Sequence, residues 1–179
     1  PNIVDMGIDS LKIEGRLKTE YYLATVVRVY RSAIDEYCRL KEQGRENEFD
    51  SNKYLNELLK VKTRGFSEFY FSDEKNQDIH DFDGKSENLD YEYGARVVSK
   101  YDKIKDTYIV EIKNKLSIGD KLEVLYPDSI EAKKFEIEAL YDEKNDENIN
   151  TINPGRKGQV VKIKIPFEVD EGIIIRRKK

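Results

Sequence analysis

Three charged side chains near the start of the chain alternate along residues 7–16, a stretch that has the period of a β-strand. Lys12, Glu14 and Arg16 share one parity, whereas the apolar Leu11 and Ile13 have the other. If this strand belongs to a parallel barrel, the three charges stand near its C-terminal end, where active-site groups collect. Glu14 and Arg16 are therefore candidate substrate-binding residues, and the alternative is a solvated or salt-bridged edge.

The single histidine, His80, stands beside Asp81 and Asp83, a combination that can bind a metal ion or transfer protons. A calcium-loop alignment with Gly84 at the sixth position puts Ile79 at the first, where a carboxylate is required. We therefore predict a solvated loop here and no metal site.

Cys38 is the only cysteine, which excludes an intrachain disulfide and a multi-cysteine zinc or iron–sulfur site within this sequence. It falls on the apolar stripe of a predicted helix, so a buried and unreactive thiol is expected. No neighbouring base would activate it, since His80 belongs to a different, polar segment. The sequence therefore assigns no catalytic residue and no cofactor to this chain.

The C-terminal end is basic, with eight Lys or Arg and three acidic side chains over residues 155–179. Such a cluster can bind RNA phosphates. The alternative is a solubilising tail, which the pI of about 5.3 for the whole chain favours. The candidate substrate-binding residues in this region are Arg156, Lys157, Lys162, Lys164, Arg176 and Arg177.

The composition is that of a globular protein with heavily solvated elements. Charged residues make up 38% of the 179 residues, and the mean hydropathy is -0.76. No apolar run approaches the roughly 18 residues of a membrane-spanning helix, and no signal-peptide pattern opens the chain. We expect a cytoplasmic protein without membrane contact. Because the first residue is Pro1 and not methionine, we also expect a piece of a longer protein.

Two helices are predicted before residue 72. The longer one runs from about Thr19, which can cap it, to Gln43, with Gly44 as a left-handed stop. The shorter one follows a cap at Ser51. On the long helix, Arg28 falls on the polar face. The predicted apolar stripe of that helix comprises Leu23, Val26, Val27, Tyr30, Ile34, Tyr37 and Cys38.

From residue 93 onward the pattern changes to six short runs in which apolar and charged side chains alternate, separated by turn signals. This pattern predicts a small antiparallel β-barrel, because closure removes exposed strand edges, with a sandwich as the alternative. Residues 73–92 carry a net charge of -6 and are predicted to be an acidic linker. The predicted fold class is α+β, with a helical connector over residues 1–72 and a barrel over residues 93–179.

The sequence SLKIEGRLKTEYYLATVVRVYRSAIDEY, residues 10–37, resembles the end of the catalytic domain in the collagenase-like peptidases, peptidase family U32. Two further parts are similar to the same family: TRGFSEFYF at residues 63–71, and the C-terminal NPGRKGQ with PFEVDEGIIIRRKK. The resemblance implies the last strand of an upstream barrel, connecting helices and an appended β-barrel. It also implies that the cysteines and the catalytic residues of the family lie before Pro1.

Members of this family are known as peptidases, and some relatives act in tRNA uridine hydroxylation. The resemblance implies a non-catalytic accessory region that recruits substrate or docks on the upstream catalytic domain. Two alternatives stay open: a tRNA-binding module of a tRNA uridine hydroxylation protein, and a fragment with residual peptidase activity. The expected partners are the upstream catalytic domain together with a protein or peptide substrate, or tRNA.

Overall fold

The computed structural model describes residues 1–61, 90–101 and 103–179. The predictions for residues 63–71 and for His80 lie outside this part of the chain, as does most of the predicted acidic linker. The first strand begins at Tyr91, two residues before the predicted start of the barrel. The division of the chain into connector, linker and barrel stays a prediction.

The N-terminal part is helical, with one long and one short helix as predicted. The Thr19 hydroxyl caps the long helix by accepting a hydrogen bond from the backbone nitrogen of Tyr22 at 3.2 Å. Gly44 follows its end at φ 65°, which glycine adopts without strain. Asp50, rather than the predicted Ser51, caps the short helix. The helices are α1 Asn2–Asp5, α2 Glu20–Glu42 and α3 Ser51–Leu58, with a 3-10 helix at Glu46–Glu48.

Residues 7–16 do not form the predicted strand in this structure. A short helix, α1, precedes this stretch, and residues 8–15 have no regular secondary structure. A strand is stable only when a neighbour takes up its backbone hydrogen bonds, and no strand of the described residues pairs with this stretch. Local turns replace the ladder, such as the one in which the Lys18 amide donates to the Gly15 carbonyl at 3.0 Å.

The C-terminal part is antiparallel β-structure. Its strands are β1 Tyr91–Tyr101, β2 Thr107–Ile112, β3 Leu116–Ser117, β4 Lys121–Leu125, β5 Lys133–Glu136, β6 Leu140–Tyr141, β7 Thr151–Ile152, β8 Val160–Lys164 and β9 Ile174–Lys178. Seven of them form one sheet in the order β5-β4-β9-β1-β2-β8-β6, and β3 and β7 form a separate pair. The six predicted runs correspond to β1, β2, β4, β5 with β6, β8 and β9.

The two edge strands of the large sheet, β5 and β6, belong to one bent segment of chain, residues 133–141. Few residues separate them, so the two edges stand at most roughly 14 Å apart. Backbone hydrogen bonds continue on both sides of the bend, from Gly119 N to Ile137 O at 2.9 Å and from Lys164 N to Ala139 O at 3.3 Å. The sheet is therefore curled into a half-barrel, and the predicted small antiparallel barrel is confirmed in this form.

The inner face of the curled sheet holds the main hydrophobic core. Alternation along each strand decides which side chains enter it, because successive residues point to opposite faces. Along β4, Leu122 and Val124 are fully buried, whereas Lys121 is exposed on the outer face. Other residues of this core include Val97, Val110, Leu140, Val161, Ile163 and Ile175.

Helices α2 and α3 pack on the outer face of the barrel and form a second apolar core with it. The buried face of α2 is not the predicted one. Val27 and Tyr30 of the predicted stripe are 50% and 42% exposed, whereas Arg28 is only 3% exposed. Arg28 finds charged partners in this interface, which a hydrophobicity pattern does not register. The second core comprises Tyr21, Val26, Val29, Tyr54, Leu58, Val61, Leu125 and Ile174.

Two arginines and two glutamates form ion pairs inside this helix–barrel interface. Arg176 of β9 donates to Glu57 of α3, with Nη1 2.6 Å from Oε1, and to Glu123 of β4, with Nε 2.8 Å from Oε2. Arg28 of α2 pairs with the same Glu57 and donates from Nη1 to the Ser129 carbonyl at 3.1 Å. We call these four charged residues, each at most 5% exposed, the buried charge network.

Burial and ion pairing act on these groups in opposite directions. Burial alone would raise the pKa of Glu57, but the hydrogen bond and charge of Arg176, with contributions from Lys60 and Arg28, hold it below the ordinary value of 4.5. Burial would lower the pKa of Arg176, but its bonds to Glu57 and Glu123 give a net increase. Glu57 and Arg176 are therefore both ionised at neutral pH.

Glu57→Ala removes the carboxylate that both buried arginines share. We expect it to lower the free energy of unfolding by about 3 to 5 kcal/mol, because it leaves buried guanidinium charge without a partner. Lys134→Ala is the control: its side chain is 77% exposed, with the amine 3.9 Å from Glu123, and it should change the free energy by less than about 1 kcal/mol. Urea denaturation followed by circular dichroism measures both. Equal losses in the two variants would contradict this assignment.

The same carboxylate makes stability depend on acid pH. Because the pKa of Glu57 is lower in the folded than in the unfolded protein, its contribution is complete above about pH 4.5 and is lost as the pH falls toward the folded value. The free energy of unfolding of the wild type should therefore decrease from about pH 5 to about pH 3 more steeply than that of Glu57→Gln. Denaturation curves across this range measure the difference. Parallel pH profiles of the two proteins would show that Glu57 is not the group concerned.

Candidate functional site

The segment that precedes α2 runs back along that helix. Near the C-terminal end of α2, the Asp5 carboxylate accepts hydrogen bonds from the Tyr37 hydroxyl at 2.7 Å and from the Lys41 amine at 2.6 Å. Near its start, Gly15 approaches Leu23 so closely that a Cβ on Gly15 would lie 3.1 Å from Leu23 Cγ and closer still to one methyl group. The N-terminal segment is therefore antiparallel to α2 and contacts both of its ends.

Large apolar side chains are exposed along this segment and on α2. Of the ten exposed large apolar residues in the part of the chain that the structure describes, seven fall within the first 30 residues. Soluble proteins rarely leave such a concentration of apolar side chains in water unless it marks an interaction surface. We define the N-terminal apolar surface as Ile3, Met6, Ile8, Leu11, Leu17, Val27 and Tyr30.

Glu14 and Arg16, two of the predicted substrate-binding residues, lie in the turn that leads into α2 and not on a strand. Both are exposed. Glu14 Oε1 accepts hydrogen bonds from the backbone nitrogens of Gly15 at 3.1 Å and Arg16 at 3.0 Å. The Glu14 carboxylate therefore stabilises this turn beside Leu17 of the N-terminal apolar surface. A role of Glu14 and Arg16 in substrate binding stays a prediction.

Lys162, another predicted site residue, is directed inward. It is 5% exposed, and its amine donates to the Asp146 carboxylate at 2.6 Å and to the carbonyls of Asp142 and Glu143 at 3.1 Å and 2.7 Å. The amine also lies 4.6 Å from the centre of the Tyr101 ring. The hydrogen bond from Lys162 helps to hold the pKa of Asp146 below its ordinary value. Lys162 therefore anchors a surface loop to the barrel.

Arg176 and Arg177 are also engaged within the chain. Arg176 belongs to the buried charge network and has no exposed surface. Arg177 pairs with Glu92 at 2.5 Å and with Asp120 at 3.0 Å. Neighbouring residues of a strand point to opposite sides of the sheet, and here each of the two meets carboxylates on its own side. The structure therefore gives both arginines a part in holding strands and helices together.

Arg156, Lys157 and Lys164 are the predicted basic residues that reach the surface. Arg156 forms a surface ion pair with Glu143 at 3.1 Å, and Lys164 forms one with Glu138 at 3.5 Å. Lys157 lies in an exposed turn. The predicted basic residues thus do not form one continuous exposed strip, because most of them are paired within the barrel. Substrate binding by Arg156, Lys157 and Lys164 stays a prediction.

A groove on the outer face of the barrel brings together lysines that the sequence analysis does not connect. Tyr91, Lys121, Lys134 and Lys178 line it, and its volume is about 350 Å3. Lys178 lies opposite Tyr91, and Lys134 lies opposite Glu123 on the strand that carries Lys121. We call this site the lysine groove. Alternation puts these lysines on the outer face, but only the strand order β5-β4-β9 shows that they are neighbours.

A second cleft, of about 490 Å3, lies between α2, α3 and the loop over residues 127–131. The Tyr54 hydroxyl donates to Glu36 in this cleft, and this bond together with Lys53 lowers the pKa of Glu36. Charges of both signs line the cleft, four acidic and three basic side chains, so it has no excess of positive charge for an anion. Its charged residues are Arg31, Asp35, Glu36, Arg39, Lys53, Asp128 and Glu131.

Within the three described ranges, no group of three or more His, Cys, Asp or Glu side chains is placed to hold a metal ion. Cys38, which is predicted to be buried, is partly buried. None of the helices that the structure describes combines the length and the apolar character needed to span a bilayer. In the described part of the chain, the candidate partner-binding surfaces are therefore the N-terminal apolar surface and the lysine groove.

Comparison with known proteins identifies the family. The model for peptidase family U32 matches residues 1–81, and the model for the peptidase family U32 C-terminal domain matches residues 90–176. The chain belongs to peptidase family U32. The resemblance seen in residues 10–37 is thereby confirmed, and the curled sheet of this U32 chain, apart from the last two residues of β9, falls within the part matched by the C-terminal domain model.

Curated relatives of this U32 chain carry two kinds of name. It is 32% identical to tRNA hydroxylation protein P1 of Bacillus subtilis over 179 residues, which covers 100% of this chain and 40% of the relative. It is 33% identical to tRNA hydroxylation protein P of Escherichia coli over 133 residues, covering 70% of this chain and 26% of that protein. A collagenase of Porphyromonas gingivalis is 24% identical, covering 93% of this chain and 44% of that protein. The chain spans less than half the length of these relatives.

Among solved structures, the U32 chain is similar to the C-terminal domain of a U32 protein from Geobacillus thermoleovorans. The sequence identity is 20% and the TM-score is 0.42, with 49% of this chain and 93% of that domain covered.

Gly15→Ala should loosen the N-terminal segment from α2, because the new methyl group overlaps Leu23. Overpacking of this kind costs about 1 to 3 kcal/mol. We expect the Lys18 amide, which donates to the Gly15 carbonyl, to exchange with solvent deuterium at least roughly fivefold faster. Gly155→Ala, in an exposed turn, is the control and should leave this exchange rate unchanged. An unaltered Lys18 rate in Gly15→Ala would mean that the segment does not depend on this contact.

Proposed function

We propose that this chain is the non-catalytic accessory region of a U32 protein that acts in tRNA hydroxylation. Its N-terminal apolar surface docks on the remainder of the same protein. The observation that carries the proposal is the concentration of exposed apolar side chains along the N-terminal segment and α2. The proposal assigns no catalytic residue and no cofactor to residues 1–179, and it locates the protein in the cytoplasm, where tRNA is modified.

The chemistry of the N-terminal apolar surface favours a permanent partner over a transient one. Leu17 is 98% exposed, and Met6 and Ile8 are more than half exposed, so water contacts apolar groups that a partner would cover. Lasting interfaces are more apolar than transient ones. The relatives supply a candidate for such a partner, because more than half of each lies outside the part that matches this chain. The remainder of the same polypeptide is therefore the occupant that we propose.

The reaction is suggested by the relatives rather than by a site within the chain. The similarity to tRNA hydroxylation protein P1 extends over the full length of this chain, at 32% identity, whereas the similarity to the collagenase is 24%. Both values support membership of one family. An uncharacterized protease of Methanocaldococcus jannaschii is also 33% identical, over 70% of this chain, so it is the match over the full length of the chain that favours tRNA as the substrate of the whole protein.

Peptide hydrolysis is the second candidate, and the family name and the collagenase relative favour it. In that case the same accessory region would recruit a protein substrate. Digestion of gelatin by the purified complete protein distinguishes the two candidates. Clear cleavage, with tRNA hydroxylation unaffected by deletion of the gene, would replace our first choice by the second.

Val27→Asp in the complete protein should abolish docking, because it would bury an unpaired carboxylate against the partner surface at a penalty of several kcal/mol. In a strain that lacks the gene, this variant should restore at most about one tenth of the hydroxylated tRNA nucleosides that the wild type restores. Mass spectrometry of digested total tRNA measures them. Leu55→Asp is the matched control, since Leu55 is exposed to a similar extent on α3, at 44% against 50%, and should restore within about twofold of the wild type.

Each outcome of this experiment has a defined meaning. Unchanged hydroxylation after loss of the gene would remove tRNA hydroxylation as the function. Full activity of Val27→Asp would show that the N-terminal apolar surface is not the docking surface. Equal loss in Val27→Asp and Leu55→Asp would point to general destabilisation and would also count against docking.

A further inference from the structure

The lysine groove concentrates positive charge on the outer face of the barrel. Lys121, Lys134 and Lys178 are exposed around it, and Glu136 is its one exposed carboxylate. Among the described residues, no carboxylate lies within 4.0 Å of the amines of Lys121 or Lys178. We propose that this groove binds phosphate groups of an RNA backbone. The choice of RNA rests on the proposed function, whereas the site itself rests on the geometry below.

Strand register puts like charges next to one another. Leu122 pairs with Arg177, so Lys121 and Lys178 face each other one position further along the same two strands. Directly opposed residues on one face have Cβ atoms about 4.5 to 5.5 Å apart, and like charges at that distance are destabilising. On β5, Glu136 lies directly opposite Lys121, and Lys134 is the diagonal neighbour of Lys121, about 7 to 8 Å away by the same geometry. Three lysines against one exposed carboxylate leave an excess of positive charge, which a bound anion would offset.

The remaining acidic group of the groove does not cancel this charge. Glu123 also lines the groove, but it is 5% exposed and its carboxylate is ion-paired with the fully buried Arg176. Only a longer contact, at 3.9 Å, links Glu123 to the Lys134 amine. The buried charge network thus neutralises the carboxylate that stands nearest to the lysines. The exposed rim keeps a net positive charge.

Other basic parts of the described chain are less suited to a polyanion. Of the C-terminal basic residues, Lys162, Arg176 and Arg177 have their charges directed to carboxylates within the fold. The cleft between α2 and α3 has more acidic than basic residues in its lining. The lysine groove is therefore the site in the described structure at which charge is both concentrated and accessible.

The composition of the groove favours RNA over a protein partner. Protein interfaces are anchored by exposed aromatic and aliphatic side chains. Of the apolar residues of the groove, Leu122 and Phe135 are 0% and 8% exposed and belong to the barrel core. The one aromatic residue nearer the surface, Tyr91, is only partly exposed, and its ring already lies 4.8 Å from the buried Arg176 guanidinium. Phosphate contacts need only accessible positive charge, and each one releases counterions. Binding at the groove should therefore be strongly salt-dependent and weakly dependent on sequence.

Binding of a fluorescently labelled tRNA to the 179-residue chain, followed by anisotropy at about 50 mM and about 200 mM salt, tests the proposal. Lys121→Gln with Lys178→Gln should weaken binding roughly tenfold at the lower salt and reduce the slope of log K against log salt by about 1.5. The control is Lys105→Gln with Lys144→Gln, which removes the same charge at exposed positions elsewhere. It should change the affinity by less than about twofold. Lys121→Arg with Lys178→Arg preserves the charge and should retain binding.

Three results would overturn the proposal: no binding of tRNA at the lower salt, equal weakening in the two Gln double variants, or competition by polyglutamate as effective as that by unlabelled tRNA. The last result would identify a general polyanion surface instead of an RNA site. The docking proposal is judged separately, because Val27→Asp leaves the lysine groove intact. Failure of RNA binding together with loss of hydroxylation in Val27→Asp would leave the proposed function standing.

Discussion

The buried charge network is the constraint on which the arrangement of this molecule depends. Moving an ionised side chain out of water costs several kcal/mol, and this penalty is offset only when each charge meets its partner with good geometry. The four charges come from four elements, α2, α3, β4 and β9. Rotation of α2, or a shift of α3 along the barrel, would leave charge buried without a partner. The network therefore selects one orientation of the helices among those that apolar contacts alone would tolerate.

That orientation determines both surfaces of interest. Because Arg28 faces Glu57, α2 directs Val29 to the barrel and exposes Val27 and Tyr30. The N-terminal segment lies along the same helix and adds further apolar side chains to it. On the barrel, the same network draws the carboxylate of Glu123 inward and leaves the lysines around it exposed. The same set of ion pairs thus determines which side chains α2 exposes in the N-terminal apolar surface and which side chains the sheet exposes in the lysine groove.

Sequence patterns predicted correctly those features that depend on residues close together in the sequence. Thr19 and Gly44 mark the ends of α2 correctly because capping involves only neighbouring residues, and the alternation of short runs marks the strands because each has one buried face. The patterns failed where partners are distant in sequence. Residues 7–16 alternate like a strand, but no strand in the described part of the chain pairs with them. The burial of Arg28 depends on Glu57, which is shared with Arg176, 119 positions further along the chain.

The candidate site was hard to predict for the same reason. A count of charges identifies residues 155–179 as basic, but it does not show which of those side chains form ion pairs within the folded protein. Pairing of β4 with β9 creates two adjacent rows on one face of the sheet. In one row Glu123 meets Arg176, and continuing the same register puts Lys121 and Lys178 side by side in the next. Glu136 lies opposite Lys121 on its other side, so this second row keeps one positive charge in excess, and Lys134 adds another at a place that water and ligands reach.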